Sequence, residues 1–168
     1  LGKFSFNLFC VVILPFLFPL SPTELRCSGP DWFEFGDFCY KPFGDKKTWH
    51  DAQSSCRALG AELVSILSMT EQSWLEATSD VWIGLNDLFY AGLFSWSDQH
   101  ITTFTYWAPG EPNNHDGFSE DCVEMLHQSG RWNDVTCTEL NTYICTCRFS
   151  TEGSSHEFAS LKDRAIFI

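Results

Sequence analysis

A polar stretch over residues 111–122, EPNNHDGFSEDC, concentrates side chains that could bind a metal ion. Its acids and amides surround a proline, and the stretch contains no apolar run that would have to be buried. Carboxylate and amide oxygens are the ligands that hard cations such as Ca²⁺ take in proteins. Two interpretations are open at this point: an ordinary solvated loop, or a set of oxygen ligands gathered around a cation.

A second polar group, Asn133 and Asp134, occurs later in the chain within the sequence RWND. With Glu111, Asn113 and Glu120 it would supply five oxygen-bearing side chains for an ion that takes roughly six to eight oxygens. Neither segment resembles an EF-hand loop. A calcium site built from both segments would therefore be of a different kind.

Two helices that precede the polar stretch are predicted from capping residues and apolar spacing. Thr48 is followed three residues later by Asp51, and the apolar residues after Thr48 share one helical face until Gly60. The sequence SMTE, residues 68–71, is a capping box that opens a second helix. We expect this second helix to include Ala77.

Strands are predicted on both sides of the polar stretch. Residues 27–44 alternate aromatic and turn residues, which is typical of a hairpin. Further strands are expected at 61–67, 81–87, 122–127, 131–136 and 141–148. Residues 87–121 are rich in Asp, Asn, Gly and Pro and only weakly periodic. So long a loop in a compact domain is either functional or an error of assignment.

Composition narrows the classes of function. The chain has 168 residues, of which 44% are hydrophobic and seven are tryptophan, enough for one domain with a real core. A net charge of −12 argues against nucleic acid as a partner. Ser119, His115 and Asp116 have the residue types of a catalytic triad. No nucleophile elbow or oxyanion hole accompanies them, so we do not expect an enzyme.

Residues 1–23 are predicted to be a signal peptide, although the cleavage site is not defined. Lys3 precedes an apolar run over residues 8–20, shorter than the roughly 20 residues of a membrane-spanning helix. A signal anchor is the less favoured alternative. We expect a secreted chain, or the ectodomain fragment of a larger receptor, with no membrane span. Residues 149–168 show no clear pattern and are expected to form a flexible tail.

The cysteines indicate an oxidising compartment. The chain has eight, and Cys10 would be removed with the signal peptide, which leaves seven. In the oxidising compartment that an exported chain enters, these seven cysteines are expected to form a disulfide framework with one left over. Zinc binding is the alternative. It is disfavoured because the only closely spaced pair is Cys145 and Cys147.

The combined motifs resemble those of C-type lectin-like domains, and in detail those of the macrophage mannose receptor family. The resemblance rests on four segments in family order: TWHDAQSSCRALGAELVSI, VWIGLNDLFYAGLFSW, EPNNHDGFSEDCVEM and RWNDVTCTELNTYIC. It implies an α+β fold with two helices flanking small antiparallel sheets and a long calcium-binding loop. We place this domain at residues 24–148.

The resemblance also implies a pairing of the cysteines. The implied disulfides are Cys27–Cys39, Cys56–Cys145 and Cys122–Cys137. Cys147 would remain unpaired, and it could form a disulfide-linked dimer. The Cys122–Cys137 bond would tie the polar stretch to the segment that contains Asn133 and Asp134.

The family resemblance implies one calcium site that also binds sugar. Its implied ligands are Glu111, Asn113, Glu120, Asn133 and Asp134. Two neighbouring sugar hydroxyls would complete the ion's shell. A possible auxiliary calcium site would use Asp87, Asn114 and Asp121.

The order Glu111-Pro112-Asn113 matches the family's mannose-type motif. It implies recognition of equatorial 3- and 4-hydroxyls, as in mannose and N-acetylglucosamine, or of the equivalent pair in fucose. Pro112 is expected in the cis form, which aims its neighbours at the same ion. The implied role is a lectin of innate immune recognition or glycoprotein uptake. The alternative is a domain of this fold that binds a protein or lipid without sugar.

Overall fold

The computed structural model describes residues 27, 29, 31–75, 77–114 and 119–149. The predicted signal peptide and residues 150–168 of the predicted tail lie outside the described residues. Along the described chain the elements are β1 Phe33–Phe35, β2 Phe38–Lys47, α1 Trp49–Ala58, β3 Glu62–Leu63, α2 Met69–Trp74, β4 Val81–Asn86, β5 Ser95–Trp96, β6 Cys122–Met125, β7 Trp132–Val135 and β8 Asn141–Arg148.

The first helix is confirmed and begins where its cap predicts. Thr48 accepts a hydrogen bond from the Asp51 backbone N–H at 3.3 Å, and its hydroxyl donates to the Asp51 carboxylate at 2.8 Å. This reciprocal capping satisfies groups that a helix start otherwise leaves unpaired. The helix buries Trp49, Ala52 and Cys56 against the sheet, which fixes one flank of the domain.

The second helix is shorter than predicted. Ser68 caps it by accepting from the Glu71 backbone N–H at 3.2 Å, but the helix ends at Trp74, so Ala77 lies outside it. Leu75 is already extended, with φ −80° and ψ 104°, and is buried in the core. The prediction was wrong here because insertion of Leu75 into the core overrides the local helix preference.

The described strands form one sheet in the order β1-β2-β8-β4-β6-β7, with β3 paired to β8 and β5 to β4. All pairs are antiparallel except β4 with β8. The predicted strand at 141–148 is confirmed, whereas those at 61–67, 122–127 and 131–136 are shorter in the structure. Strand β3 pairs with β8 at only two positions, which limits its length.

A short strand inside the predicted loop was missed. Ser95 and Trp96 pair with Asn86 and Leu85 of β4, and Trp96 is buried. A two-residue strand is too short to show an alternating pattern, so periodicity does not reveal it. Its effect is to anchor the middle of the 87–121 segment to the core.

Packing in the core accounts for the buried tryptophans and for the glycine within strand β4. Trp82, Trp96 and Trp132 are buried in it, and Trp107 packs against it from a partly buried position. Gly84 is required for close packing: a Cβ there would lie 2.8 Å from the Leu63 backbone oxygen. The backbone of β3 therefore approaches β4 more closely than a side chain would permit.

Three disulfides staple this fold, in the pairing that the resemblance implies. They are Cys27–Cys39, Cys56–Cys145 and Cys122–Cys137. Cys147 is free and half-buried, opposite Cys39 in the β2–β8 register. Burial raises the pKa of the Cys147 thiol. Within the described ranges, none of the helices has the length and apolar character needed to cross a membrane.

Candidate functional site

One side of the candidate site is built on strand β7. Trp132 is fully buried and donates its indole N–H to the Gln72 side-chain oxygen at 2.7 Å. The pairing of β7 with β6 places Asn133 opposite Glu124 and Asp134 opposite Val123. Because core and sheet register hold Trp132, the two residues that follow it have defined positions.

The Asp134 carboxylate connects this strand to the loop that contains Glu111. Asp134 is 1% exposed, and its two oxygens accept the backbone N–H groups of Asn113 at 3.1 Å and Asn114 at 2.9 Å. The Glu111–Pro112 peptide bond is cis, which confirms that prediction. Asn113 also donates from its side-chain amide to Glu111 at 2.9 Å. The structure therefore brings Glu111, Asn113 and Asp134 together.

Glu111 is the electrostatically unsatisfied member of this group. Its Oε2 is buried and has no hydrogen-bond partner among the described residues. Burial raises the pKa of the Glu111 carboxyl, and the neighbouring Asp134 and Glu120 carboxylates raise it further. A cation beside these oxygens would offset both the desolvation and the repulsion. The residues present thus fit an ion such as Ca²⁺.

Glu120, at the other end of the polar stretch, is linked to Asn114 by a hydrogen bond. Its backbone N–H donates to the Asn114 side-chain oxygen at 3.1 Å. Asn114 has a positive φ of 45°, a conformation that Asn tolerates better than most residues. Residues 115–118, which include His115 and Asp116, lie outside the described residues.

Asn133 makes a contact that sequence reasoning missed. Its side-chain amide donates to Glu124 Oε1 at 3.1 Å, and Asn141 donates to Glu124 Oε2 at 2.6 Å. Burial raises the pKa of the Glu124 carboxyl, while the hydrogen bonds from Asn133 and Asn141 lower it. The available signal was a lone acid in the apolar segment CVEM, across a predicted hairpin from RWND.

The three residues of the predicted auxiliary site are only partly brought together. Asp87 is buried and accepts from the Gly92 backbone N–H at 2.6 Å, while its other oxygen, Oδ1, has no partner in the part of the chain that is described. Its backbone N–H donates to the Asp121 carbonyl at 3.1 Å. The Asn114 side-chain oxygen is instead used by Glu120. Metal binding by this set stays a prediction.

The candidate ligand set depends on amides as well as acids. In the described part of the chain, His, Cys, Asp and Glu side chains alone form no group of three or more suited to a metal ion. Two of the five candidate ligands are Asn113 and Asn133, whose carbonyl oxygens are also calcium ligands in proteins. The arrangement can therefore offer both oxygens for a hard cation and amide N–H donors for a hydroxyl.

Two kinds of known protein are similar to this chain. A C-type lectin from Micrurus corallinus is 37% identical over 161 residues, which cover 89% of this chain and 100% of that protein. C-type mannose receptor 2 from Rattus norvegicus is 38% identical over 128 residues, 73% of this chain. The chain spans only 9% of that receptor's length. The resemblance to mannose receptor domains is confirmed, and the likeness to short lectins adds to it.

Solved structures share the fold. The carbohydrate-recognition domain of cow CD23, solved in the presence of a GlcNAc2Man3 oligosaccharide, has a TM-score of 0.69 and 38% identity. The match covers 74% of this chain and 98% of that domain. A calcium-independent type II antifreeze protein also has a TM-score of 0.69, with 28% identity, covering 73% of this chain and 95% of that one. The fold therefore occurs both in sugar-binding domains and in a protein that does not need calcium.

The family model for the lectin C-type domain matches residues 45–147. This segment includes both sides of the candidate site and two of the three disulfides. The chain belongs to the C-type lectin domain family.

Proposed function

We propose that this chain is a calcium-dependent lectin domain that binds mannose-type sugars. Its ligands for both ion and sugar would be Glu111, Asn113, Glu120, Asn133 and Asp134. The observation that carries the proposal is the buried Oε2 of Glu111, which finds no hydrogen-bond partner in the described part of the chain and lies near the Asp134 and Glu120 carboxylates. Buried polar atoms without a partner are rare in folded proteins, and a bound cation is one way to satisfy them.

Each residue type has a separate part in sugar binding. Bound Ca²⁺ supplies the positive charge that the clustered carboxylates lack, and it accepts lone pairs from sugar hydroxyls. Asn113 and Asn133 offer amide N–H donors to those hydroxyls, and Glu111 and Glu120 offer carboxylate acceptors. The Glu111–Asn113 contact at 2.9 Å is one donor and acceptor pair that is already assembled.

The mannose-type preference is proposed from residue order and from the relatives. Glu111 and Asn113 flank Pro112 in the order acid then amide, which sets where a hydroxyl would find its acceptor and its donor. A protein from Oxyuranus scutellatus that is 37% identical over 156 residues is named a mannose-binding isoform. N-acetylglucosamine and fucose present comparable hydroxyl pairs and belong to the same proposed ligand class.

The competing function is the binding of a protein or lipid partner without calcium. The calcium-independent antifreeze relative shows that this fold does not require an ion. In that case Glu111 and its neighbours would be only a polar loop. We favour the lectin because all five candidate ligands are present in the sequence and because hydrogen bonds join Asn113 to both Glu111 and Asp134.

Chelation is the direct test. Binding to immobilised mannose should disappear when EDTA is added and return with excess Ca²⁺. Glu111→Gln should abolish it at limiting Ca²⁺, whereas the exposed Glu139→Gln is the matched control and should leave it intact. Mannose binding that persists in EDTA would refute the role of calcium. An absence of sugar binding at saturating Ca²⁺ would favour the protein-binding or lipid-binding alternative.

The extracellular location is also a proposal. Three disulfides are typical of proteins from oxidising compartments. A secreted lectin and the ectodomain of a receptor both meet that condition. Innate immune recognition and glycoprotein uptake are roles that would use the same sugar site.

Useful avidity would require more than one site. A shallow site for two hydroxyls is expected to bind a single sugar at about millimolar Kd, roughly −4 kcal/mol. Linking sites can raise avidity by roughly 10²–10⁴.

A dimer through Cys147 would supply a second site. Non-reducing electrophoresis should then show a dimer that Cys147→Ser abolishes; a monomer in both lanes would exclude this route.

A further inference from the structure

Glu124 is a buried acid that contacts the candidate sugar site from the neighbouring strand. It is 8% exposed, lies on β6 directly opposite Asn133, and belongs to none of the predicted ligand sets. Both of its carboxylate oxygens accept side-chain amides, from Asn133 at 3.1 Å and from Asn141 at 2.6 Å. An acid with this burial and these partners needs an explanation beyond solvation.

We propose that Glu124 is a positioning residue that sets the orientation of the Asn133 amide. It holds the Asn133 nitrogen on the β6 side and leaves the carbonyl oxygen as the atom that can bind the ion. This inference rests on the proposed function, since Asn133 is a calcium ligand only if the lectin proposal is correct. The hydrogen bond itself can be tested without calcium.

The chemistry of the two groups determines the orientation. An ionised carboxylate only accepts hydrogen bonds, whereas an Asn amide has an N–H₂ donor end and an oxygen acceptor end. If the Asn133 amide turned over, its oxygen would face the Glu124 carboxylate, and a buried hydrogen bond would become a repulsive contact. The Asn133 N–H₂ has two hydrogens, so one remains for a sugar hydroxyl after the other binds Glu124.

Asn141 fixes the carboxylate from the opposite side. It is the first residue of β8, is 9% exposed and holds Glu124 Oε2. With both oxygens engaged, the Glu124 side chain has little freedom to rotate away from Asn133. Strand β8, which the Cys56–Cys145 disulfide ties to α1, thereby contributes to the position of a residue on β7.

The competing explanation is that Glu124 only joins β6 to β8. Two substitutions separate the roles. Glu124→Gln keeps the shape of the side chain but lets its own amide end face Asn133, so the Asn133 amide is no longer held in one orientation. Asn141→Ala removes the link to β8 and leaves the Glu124 carboxylate opposite Asn133.

Calcium titration calorimetry without sugar gives the first measurement. Glu124→Gln should weaken Ca²⁺ binding about 10–100-fold, the usual effect of losing a group that orients a metal ligand. Asn141→Ala should lower the thermal midpoint in EDTA and weaken Ca²⁺ binding much less. Losses of calcium affinity that follow the losses of stability equally in both variants would overturn the proposal and leave only the structural role.

Side-chain amide NMR of the calcium-free protein gives the second measurement. The Asn133 N–H₂ proton that faces Glu124 should exchange slowly with water, and this protection should be lost in Glu124→Gln and kept in Asn141→Ala. An Asn133 signal that is unchanged by Glu124→Gln would overturn the proposal. Protection of Asn133 in a protein that binds no Ca²⁺ would instead show that the orientation is correct and the lectin proposal is not.

Discussion

The two sides of the candidate site are held in different ways. The strand side, Asn133 and Asp134, follows a fully buried Trp132 and is fixed by the pairing of β7 with β6. The loop side, Glu111 and Asn113, is half-buried or exposed. The backbone N–H groups of Asn113 and Asn114 attach it to the Asp134 carboxylate. The strand side is therefore continuous with the core, whereas the loop side is attached to it by hydrogen bonds.

This difference indicates on which side the hydrogen-bonding and charge balance would change when an ion binds. The polar groups of the strand side have partners within the protein, through Glu124 and the loop backbone. On the loop side one Glu111 oxygen has no hydrogen-bond partner within the described ranges, and the Asp134 and Glu120 carboxylates lie close enough to repel it. We therefore expect the strand side to be preorganised and the loop side to be completed by the ion.

The largest effect should come from the support of the strand side. Trp132→Ala removes a fully buried ring that contacts Trp96, Phe104 and Trp107, and should cost about 3–5 kcal/mol of unfolding free energy. Urea unfolding measures this. Trp74→Ala, at a 37% exposed tryptophan, is the control and should cost clearly less. Equal losses would mean that the strand side is no better supported than the surface.

The second effect should be confined to the loop side. Glu111→Gln combined with Asn113→Asp exchanges an acceptor for a donor and a donor for an acceptor without removing either side chain. Mismatched hydrogen bonds to charged groups cost about 1.5–3 kcal/mol, so mannose affinity should fall roughly tenfold or more.

Preference should shift from equatorial 3- and 4-hydroxyls toward galactose, whose 4-hydroxyl is axial, while the urea midpoint stays close to that of the parent protein. Competition with both sugars in a Ca²⁺ buffer measures the shift. An unchanged preference would mean that the loop side does not select the hydroxyls. A large loss of stability would contradict the view that the loop is suspended from a core that folds without it.

The smallest effect should be a pH dependence that reverses with calcium. Burial raises the pKa of the Glu111 carboxyl above its ordinary value. The folded state then binds this proton more tightly than the unfolded state, so Glu111 favours folding below its ordinary pKa. That contribution is lost as pH rises through the raised pKa.

In EDTA the Glu111 contribution to the thermal midpoint should therefore increase as pH falls from 7 toward about 4.5. With limiting Ca²⁺ the same acidification should lower the midpoint, because protons compete with the ion for the carboxylates. The difference in thermal midpoint between the parent protein and Glu111→Gln, measured at each pH, isolates the contribution of Glu111. The same sign of the difference in EDTA and in Ca²⁺ would refute a calcium role for Glu111.

Local sequence signals predicted the parts of the fold that local chemistry controls. The Thr48 and Ser68 caps and the β8 strand are confirmed. The cis bond before Pro112 is also confirmed, but it was expected from the family motif. Residue types alone also indicated that acids and amides gather in one stretch. The disulfide pairing was recognised only through the family resemblance, because seven cysteines allow many pairings.

Other features depended on contacts between distant residues. The second helix ends early because Leu75 enters the core, and β5 exists because Trp96 finds a place beside β4. Neither effect leaves a periodic pattern within the segment itself. Such tertiary preferences override local propensity, which is why the sequence pattern overextended the second helix and did not reveal β5.

The sequence by itself determined which chemical groups the candidate site contains: three carboxylates, two amides, and a proline between Glu111 and Asn113. Only the tertiary structure decided how these groups meet. Asp134 accepts hydrogen bonds from the loop backbone, and Asn133 donates to Glu124. One buried Glu111 oxygen has no partner among the residues that the structure describes. The reason is physical: residue types set which hydrogen bonds are possible, whereas sheet register and burial select which of them form.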